Sequence, residues 1–147
     1  MTTSGYDAYN NSLAHTTDNK EKILLMLYDG AIKFVRFARM GIEKKSAKIR
    51  GENVSKAMAI IVELDCALDR RIENELVENL SDLYRHIMDR LTVANVNNDP
   101  GPLAEVEKLL VTLKEGFEGA VQKELAEAPV QPKAHQPGTQ EGVRFAI

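Results

Sequence analysis

Tryptophan is absent from this chain of 147 residues, and aromatic residues make up only 5% of it. Sheets are enriched in aromatic and β-branched residues, so the shortage favours helices. A single cysteine, Cys66, excludes an internal disulfide and any zinc site built from several thiolates. No run of about 18 apolar residues occurs, so no membrane insertion is expected. Positive charge is not in excess. The 19 Lys and Arg against 22 Asp and Glu leave a net charge of −3, which argues against nonspecific nucleic-acid binding. The first residues have neither the basic region nor the apolar core of a secretory signal, and a cytoplasmic location is expected.

The motifs of catalysis are missing too. A di-iron bundle needs Glu-x-x-His pairs, yet Ser12, Leu83 and Pro132 stand three residues before His15, His86 and His135. No Gly-rich loop followed by Lys-Ser/Thr is present, nor any His-x-x-x-His spacing. Cys66 falls on a helical stripe with Met58, Ala59 and Val62, where a packing thiol is expected rather than a nucleophile. The expectation is a protein that is not an enzyme and holds neither metal nor cofactor.

What is present is aliphatic and periodic. Leu24, Leu27, Tyr28, Ala31, Phe34, Val35, Ala38 and Ile42 recur at helical spacing, predicting a first helix from Lys20 to about Lys45. Asp18 and Glu21 fit a capping box at its start. Gly51 breaks the pattern. A second helix is predicted from about Asn53 to Ile72, with Ala57, Ile60, Ile61, Leu64 and Leu68 on one face. Asn74 to Glu78 reads as the next junction. A third helix over Asn79–Asn97 carries Leu80, Leu83, Tyr84, Ile87, Met88, Leu91 and Ala94. Asn97-Asn98-Asp99-Pro100-Gly101-Pro102 is a turn, and a fourth helix begins near Pro102 with Leu103, Val106, Leu110, Leu113, Phe117 and Val121. From Ala128 the composition shifts to Pro, Gly, Gln and Lys. The expected organisation is an all-α antiparallel four-helix bundle over residues 18–127. An N-terminal arm over 1–17 precedes it, and a disordered tail over 128–147 follows.

Bundle helices need one apolar face, and the first two have more. Met26, Gly30, Phe37, Met40 and Gly41 lie roughly opposite the core face of the first helix. Met58, Ala59, Val62 and Cys66 lie off the core face of the second. Several exposed Met and Phe side chains together imply a partner surface, and methionine suits surfaces that repack around a ligand. Central burial, a homodimer interface and a groove for an amphipathic peptide all remain open on periodicity alone. Gly30, Gly41 and Ala59 would let a partner backbone come close.

The run Leu24-Leu25-Met26-Leu27-Tyr28-Asp29-Gly30-Ala31-Ile32-Lys33-Phe34 resembles the first-helix signature of the FliS family of flagellar secretion chaperones. So does the arm with Tyr6 and Tyr9. Lys56-Ala57, Ile60-Ile61, Glu63-Leu64 and Leu68-Asp69 match the family's second helix. Asn79-Leu80, Leu83-Tyr84, Met88, Arg90-Leu91 and Ala94-Asn95 match its third. The resemblance covers about residues 6–122. It implies a four-helix bundle that binds the disordered C-terminal segment of flagellin in the cytoplasm, blocks premature polymerisation, and assists delivery to the flagellar type III export gate. It also implies a displaceable arm, here Tyr6, Tyr9 and Leu13. Combined with the stripe geometry, the groove candidates are Met26, Phe37, Met40, Met58, Val62 and Cys66. The alternative is a helical-bundle homodimer acting as a structural or signalling adaptor. The sequence departs from the family at Asn19-Lys20, where Ser-Pro is usual, at the glycine-free stretch from Arg71 to Glu78, and at Phe117, where Trp is common. The tail after Glu127 inherits nothing from the resemblance.

Overall fold

A computed structural model describes residues 16–71 and 74–127, with side chains over 19–71 and 74–120. The arm residues Tyr6, Tyr9 and Leu13 and the tail over 128–147 lie outside the described residues. Four helices are present: α1 over Thr16–Glu43, α2 over Ala47–Cys66, α3 over Glu75–Asn97 and α4 over Pro100–Glu127. No strand occurs among the described residues. Helices adjacent in the chain are adjacent in space, and α4 closes the ring against α1. Cross-helix neighbours fix the directions. Gly41 lies against Arg50 and Gly30 against Ile60. Arg50 reaches Asn95, whereas Asp65 meets Ser81. Arg39 reaches Glu107, whereas Asp29 meets Lys114. In every pair of helices one number rises as the other falls, so neighbours are antiparallel. The expected four-helix bundle is the architecture found.

The helix ends differ from the periodicity, and local hydrogen bonds explain how. Asp18 lies inside α1, which starts at Thr16, so it is not the cap expected there. Lys45 takes the left-handed conformation (φ 57°) that ends α1, and the Ser46 amide donates to the Gly41 carbonyl at 2.8 Å. Ser46 then caps α2 by accepting from the Ile49 amide at 3.2 Å. So α2 begins at Ala47, about a turn and a half ahead of the predicted Asn53, and Gly51 sits within it rather than breaking it. At the other end, α2 stops at Cys66 rather than Ile72. Arg70 donates to the Asp65 carbonyl at 3.2 Å and pairs with its carboxylate at 2.9 Å. It also reaches the Ser81 hydroxyl at 3.3 Å, which ties the loop to α3. Asn74, read as the start of a junction, instead caps α3 by accepting from the Leu76 amide at 2.8 Å. Asn98 ends α3 in the left-handed region, and Asp99 caps α4 by accepting from Gly101 at 2.9 Å. Pro100, not Pro102, therefore takes the first helical position, where its missing N–H is no loss.

The core is aliphatic apart from two tyrosines and Phe117. Val35, Ile61, Leu64, Ile87, Leu91, Leu103, Val106 and Leu110 are no more than 1% exposed. Tyr28 on α1 and Tyr84 on α3 meet across the diagonal of the bundle, hydroxyl to hydroxyl at 2.6 Å. The Phe117 ring lies 6.4 Å from that of Tyr28, tilted by 46°. Ile32, Val54 and Val77 are also buried, although they were not singled out by periodicity. Leu27, Phe34, Ile42, Ile60, Leu83, Met88 and Leu113, assigned to core faces, are half-buried at its margin.

Candidate functional site

The position of each apolar side chain on α1 follows from where Gly30 and Gly41 point. A Cβ at Gly41 would stand 2.6 Å from the Arg50 nitrogen, and one at Gly30 would stand 3.1 Å from Ile60 Cδ1. Both glycines therefore face α2. They do not admit a partner's backbone, as the stripe geometry suggested; they let α2 approach. Counting about 100° per residue from Gly30 places Ile23, Met26, Phe37 and Met40 within roughly 100° of arc, which runs from the line of the α2 contact to its outer side. All four are exposed, Met26 most of all at 70%. Ile49, on the α1-facing side of α2, is exposed next to them, and Ile60 is half-buried. Ile23, Met26, Gly30, Lys33, Phe37 and Met40 repeat at spacings of three and four. That is the seam another helix can follow. Ile23 and Ile49 were missed from sequence, although this spacing was there to find Ile23.

Two lysines sit over the aromatic part of this seam. Lys33 Nζ stands 5.7 Å from the Phe34 ring centroid and 5.9 Å from that of Phe37. Lys56 Nζ stands 5.5 Å from the Phe34 ring on the α2 side. Such contacts hold an ammonium over a π-face and keep it available at the surface. The seam is thus apolar with fixed positive charge at its middle.

The remaining groove candidates do not join it. Val62 lies about 200° around α2 from Ile60, and Met58 about 160° in the same sense. Both point toward the α3 side of α2. Val62 and Cys66 are exposed, and Met58 is half-buried against the core. The six groove candidates therefore fall in two patches on either side of α2. One holds Met26, Phe37 and Met40; the other holds Met58, Val62 and Cys66.

The α4 flank of α1 is ionic instead. Glu107 receives Arg36 at 3.0 Å and Arg39 at 2.6 Å, and Lys114 pairs with Asp29. Burial pushes the Glu107 carboxyl up, but its two arginines outweigh this and hold it below the usual range. On the α3–α4 flank, Glu105 binds His86 at 2.8 Å and Arg90 at 2.9 Å. Among the described residues no group of three His, Cys, Asp or Glu side chains is placed to hold a metal. No helix among them is long and apolar enough to cross a membrane.

What these surfaces offer is docking, and comparison with known proteins bears on the kind. The family model described as "Flagellar protein FliS" matches residues 2–124. The chain belongs to the FliS family. It is 38% identical over 119 residues to the flagellar secretion chaperone FliS of Bacillus subtilis (strain 168), covering 81% of this chain and 87% of that one. It is 35% identical over 120 residues to FliS of Salmonella typhimurium, covering 79% and 89%. With FliSB of Pseudomonas aeruginosa it shares 35% over 101 residues, covering 69% and 80%. FliS is a family of flagellar chaperones and not of enzymes, and its partners are flagellar proteins. The FliS match includes all four helices almost to the end of α4, and so both apolar patches.

Proposed function

We propose that this chaperone binds the disordered C-terminal segment of flagellin along the α1–α2 seam. In the cytoplasm it would keep flagellin from polymerising before export and assist its delivery to the flagellar type III export gate. The observation that carries this reading is the exposed stripe Ile23–Met26–Phe37–Met40 with Ile49 across from it. An apolar run of this kind along one helical edge suits an amphipathic segment that folds on it. The five side chains are 36–70% exposed. Burying what remains of them is worth roughly 5 kcal/mol at 1.5–3 kcal/mol per full side chain. Ordering a disordered partner costs about 2–5 kcal/mol or more. The seam alone therefore leaves little surplus, which favours a flagellin segment that continues over α2 onto Met58, Val62 and Cys66. Tyr6, Tyr9 and Leu13 are assigned to an arm that covers part of this surface until flagellin displaces it.

Phe37→Asp tests the seam. The side chain is 39% exposed, so the far-UV helix signal should be retained. Calorimetric affinity for a flagellin C-terminal peptide should fall at least tenfold. Retained affinity with retained fold would remove the seam from consideration. Deleting residues 1–15 should change the affinity of the same peptide; an unchanged value would sink the displaceable arm. A concentration series by sedimentation addresses the adaptor alternative, which a tight dimer taking up no peptide would support.

A further inference from the structure

The turn between α1 and α2 breaks two local rules at once. Lys45 holds the left-handed position that ends α1, where glycine is the favoured residue because it has no Cβ to clash. Lys48 stands in the first turn of α2, which contains no acidic residue. A cation there opposes the helix dipole. Lys44 completes the group, and all three are exposed. Among the described residues none of the three forms an ion pair; Lys22, Lys33, Lys56, Arg85 and Lys108 form none either, so what sets these three apart is their crowding within five residues of one turn. Glu43 and Glu52 flank the turn and are exposed, but pair with none of them. Arg50 is committed elsewhere, to Asn95 and Asn98. Hydrogen bonds close the backbone of the turn: Lys44 N donates to Met40 O at 2.9 Å, Lys45 N to Ile42 O at 3.1 Å and Ser46 N to Gly41 O at 2.8 Å. Sequences tend to break local preferences where function requires it.

We infer that this turn is a docking site for an acidic protein segment. The three ammonium groups would receive two or three neighbouring carboxylates. Met40 and Ile49, both exposed and on either side of the turn, would receive an apolar residue beside them. A flat anionic membrane fits less well, because Glu43, Glu52 and Asp99 on the adjoining α3–α4 turn would meet it too. The chain's overall charge of −3 gives no general attraction for acidic partners, so recognition must be local to the turn. The site does not depend on flagellin being the occupant of the seam.

The test uses the full chain, with an octaglutamate peptide as probe and amide chemical shifts as readout. Shifts should be confined to residues 43–50 and should vanish on raising the salt to about 0.5 M, where screening is nearly complete over a few ångströms. Lys45→Gly and Lys48→Glu should each raise the Tm, by about 2–4 °C, while weakening the peptide at least threefold. Phe37→Asp, with the seam broken, should still show the same shifts; that separates failure of the turn from failure of the flagellin reading. Absence of shifts at the turn, a lowered Tm in both lysine variants, or shifts with phosphatidylserine vesicles but not with the peptide would each overturn the inference.

Discussion

Gly41→Ala should destabilise the bundle, although the same change elsewhere should stabilise it. Gly41 lies in the last turn of α1, and an added Cβ would stand 2.6 Å from the Arg50 nitrogen and 3.0 Å from its Cα. Those are backbone atoms and cannot swing aside. They are also fixed by the short turn that the Ser46–Gly41 hydrogen bond closes. Relief requires α1 and α2 to part. Overpacking of this kind costs about 1–3 kcal/mol, against a gain of about 1 kcal/mol from replacing a helical glycine by alanine. With rigid neighbours the cost should fall in the upper half, giving a net loss of about 1–2 kcal/mol. Gly116 is the control: nothing lies within 4 Å of its added Cβ, so Gly116→Ala should gain about 1 kcal/mol. Gly30→Ala meets only the end of the Ile60 side chain at 3.1 Å, which can rotate, and should fall between the two. Urea unfolding followed at 222 nm should separate Gly41→Ala from Gly116→Ala by about 2–3 kcal/mol, or roughly 6–10 °C in Tm. If Gly41→Ala were as stable as Gly116→Ala, the close approach of α1 and α2 at that point would be wrong.

The tyrosine pair makes two further predictions. Tyr28→Phe or Tyr84→Phe alone leaves one buried hydroxyl without its partner and should cost about 1–3 kcal/mol, whereas the double variant should cost less than the sum of the two. Burial pushes the Tyr84 hydroxyl well above the ordinary tyrosine range, and the neighbouring Tyr28 and Asp65 push it further. Burial also raises Tyr28, against a lowering by its hydrogen bond to Tyr84. A raised folded value means that this stability is complete below the unfolded value of about 10 and is lost as pH rises beyond it. The absorbance of two tyrosinates should therefore appear only with alkaline unfolding; all four tyrosines titrating near 10 in the folded chain would contradict the buried pair. Asp99→Ala removes the acceptor for the Gly101 amide and should cost about 1 kcal/mol in thermal unfolding, with no effect on affinity for the flagellin C-terminal peptide.

The apolar faces were legible because each repeats at helical spacing over many residues. Val35, Ala57, Leu91 and Leu110 were placed by period alone and are fully buried. The ends of α2 were not legible. Gly51 reads as a breaker, yet an interior glycine costs only about 1 kcal/mol, and Ser46 offers a cap five residues earlier. Ile72 extends the apolar period past Cys66, but Arg70 reaching back to Asp65 stops the helix first. These are contacts between side chain and backbone that no periodicity encodes. The extra stripe was legible as excess. Its division into two patches was not, because which edge of α2 faces α1 is decided by Gly30 and Gly41 packing against it.

Cys66 is the chain's one thiol, and it is exposed at the last residue of α2. Air oxidation can therefore link two chains through their α2 ends without either apolar seam taking part. A dimer that disappears on adding reductant would be a product of that chemistry, and only one that survives it speaks to association. The same position makes the native sequence ready for a single maleimide dye, next to Val62 and at the edge of the second patch. A partner segment that crosses α2 would change that dye's emission; one confined to the α1–α2 seam would leave it dark to the event.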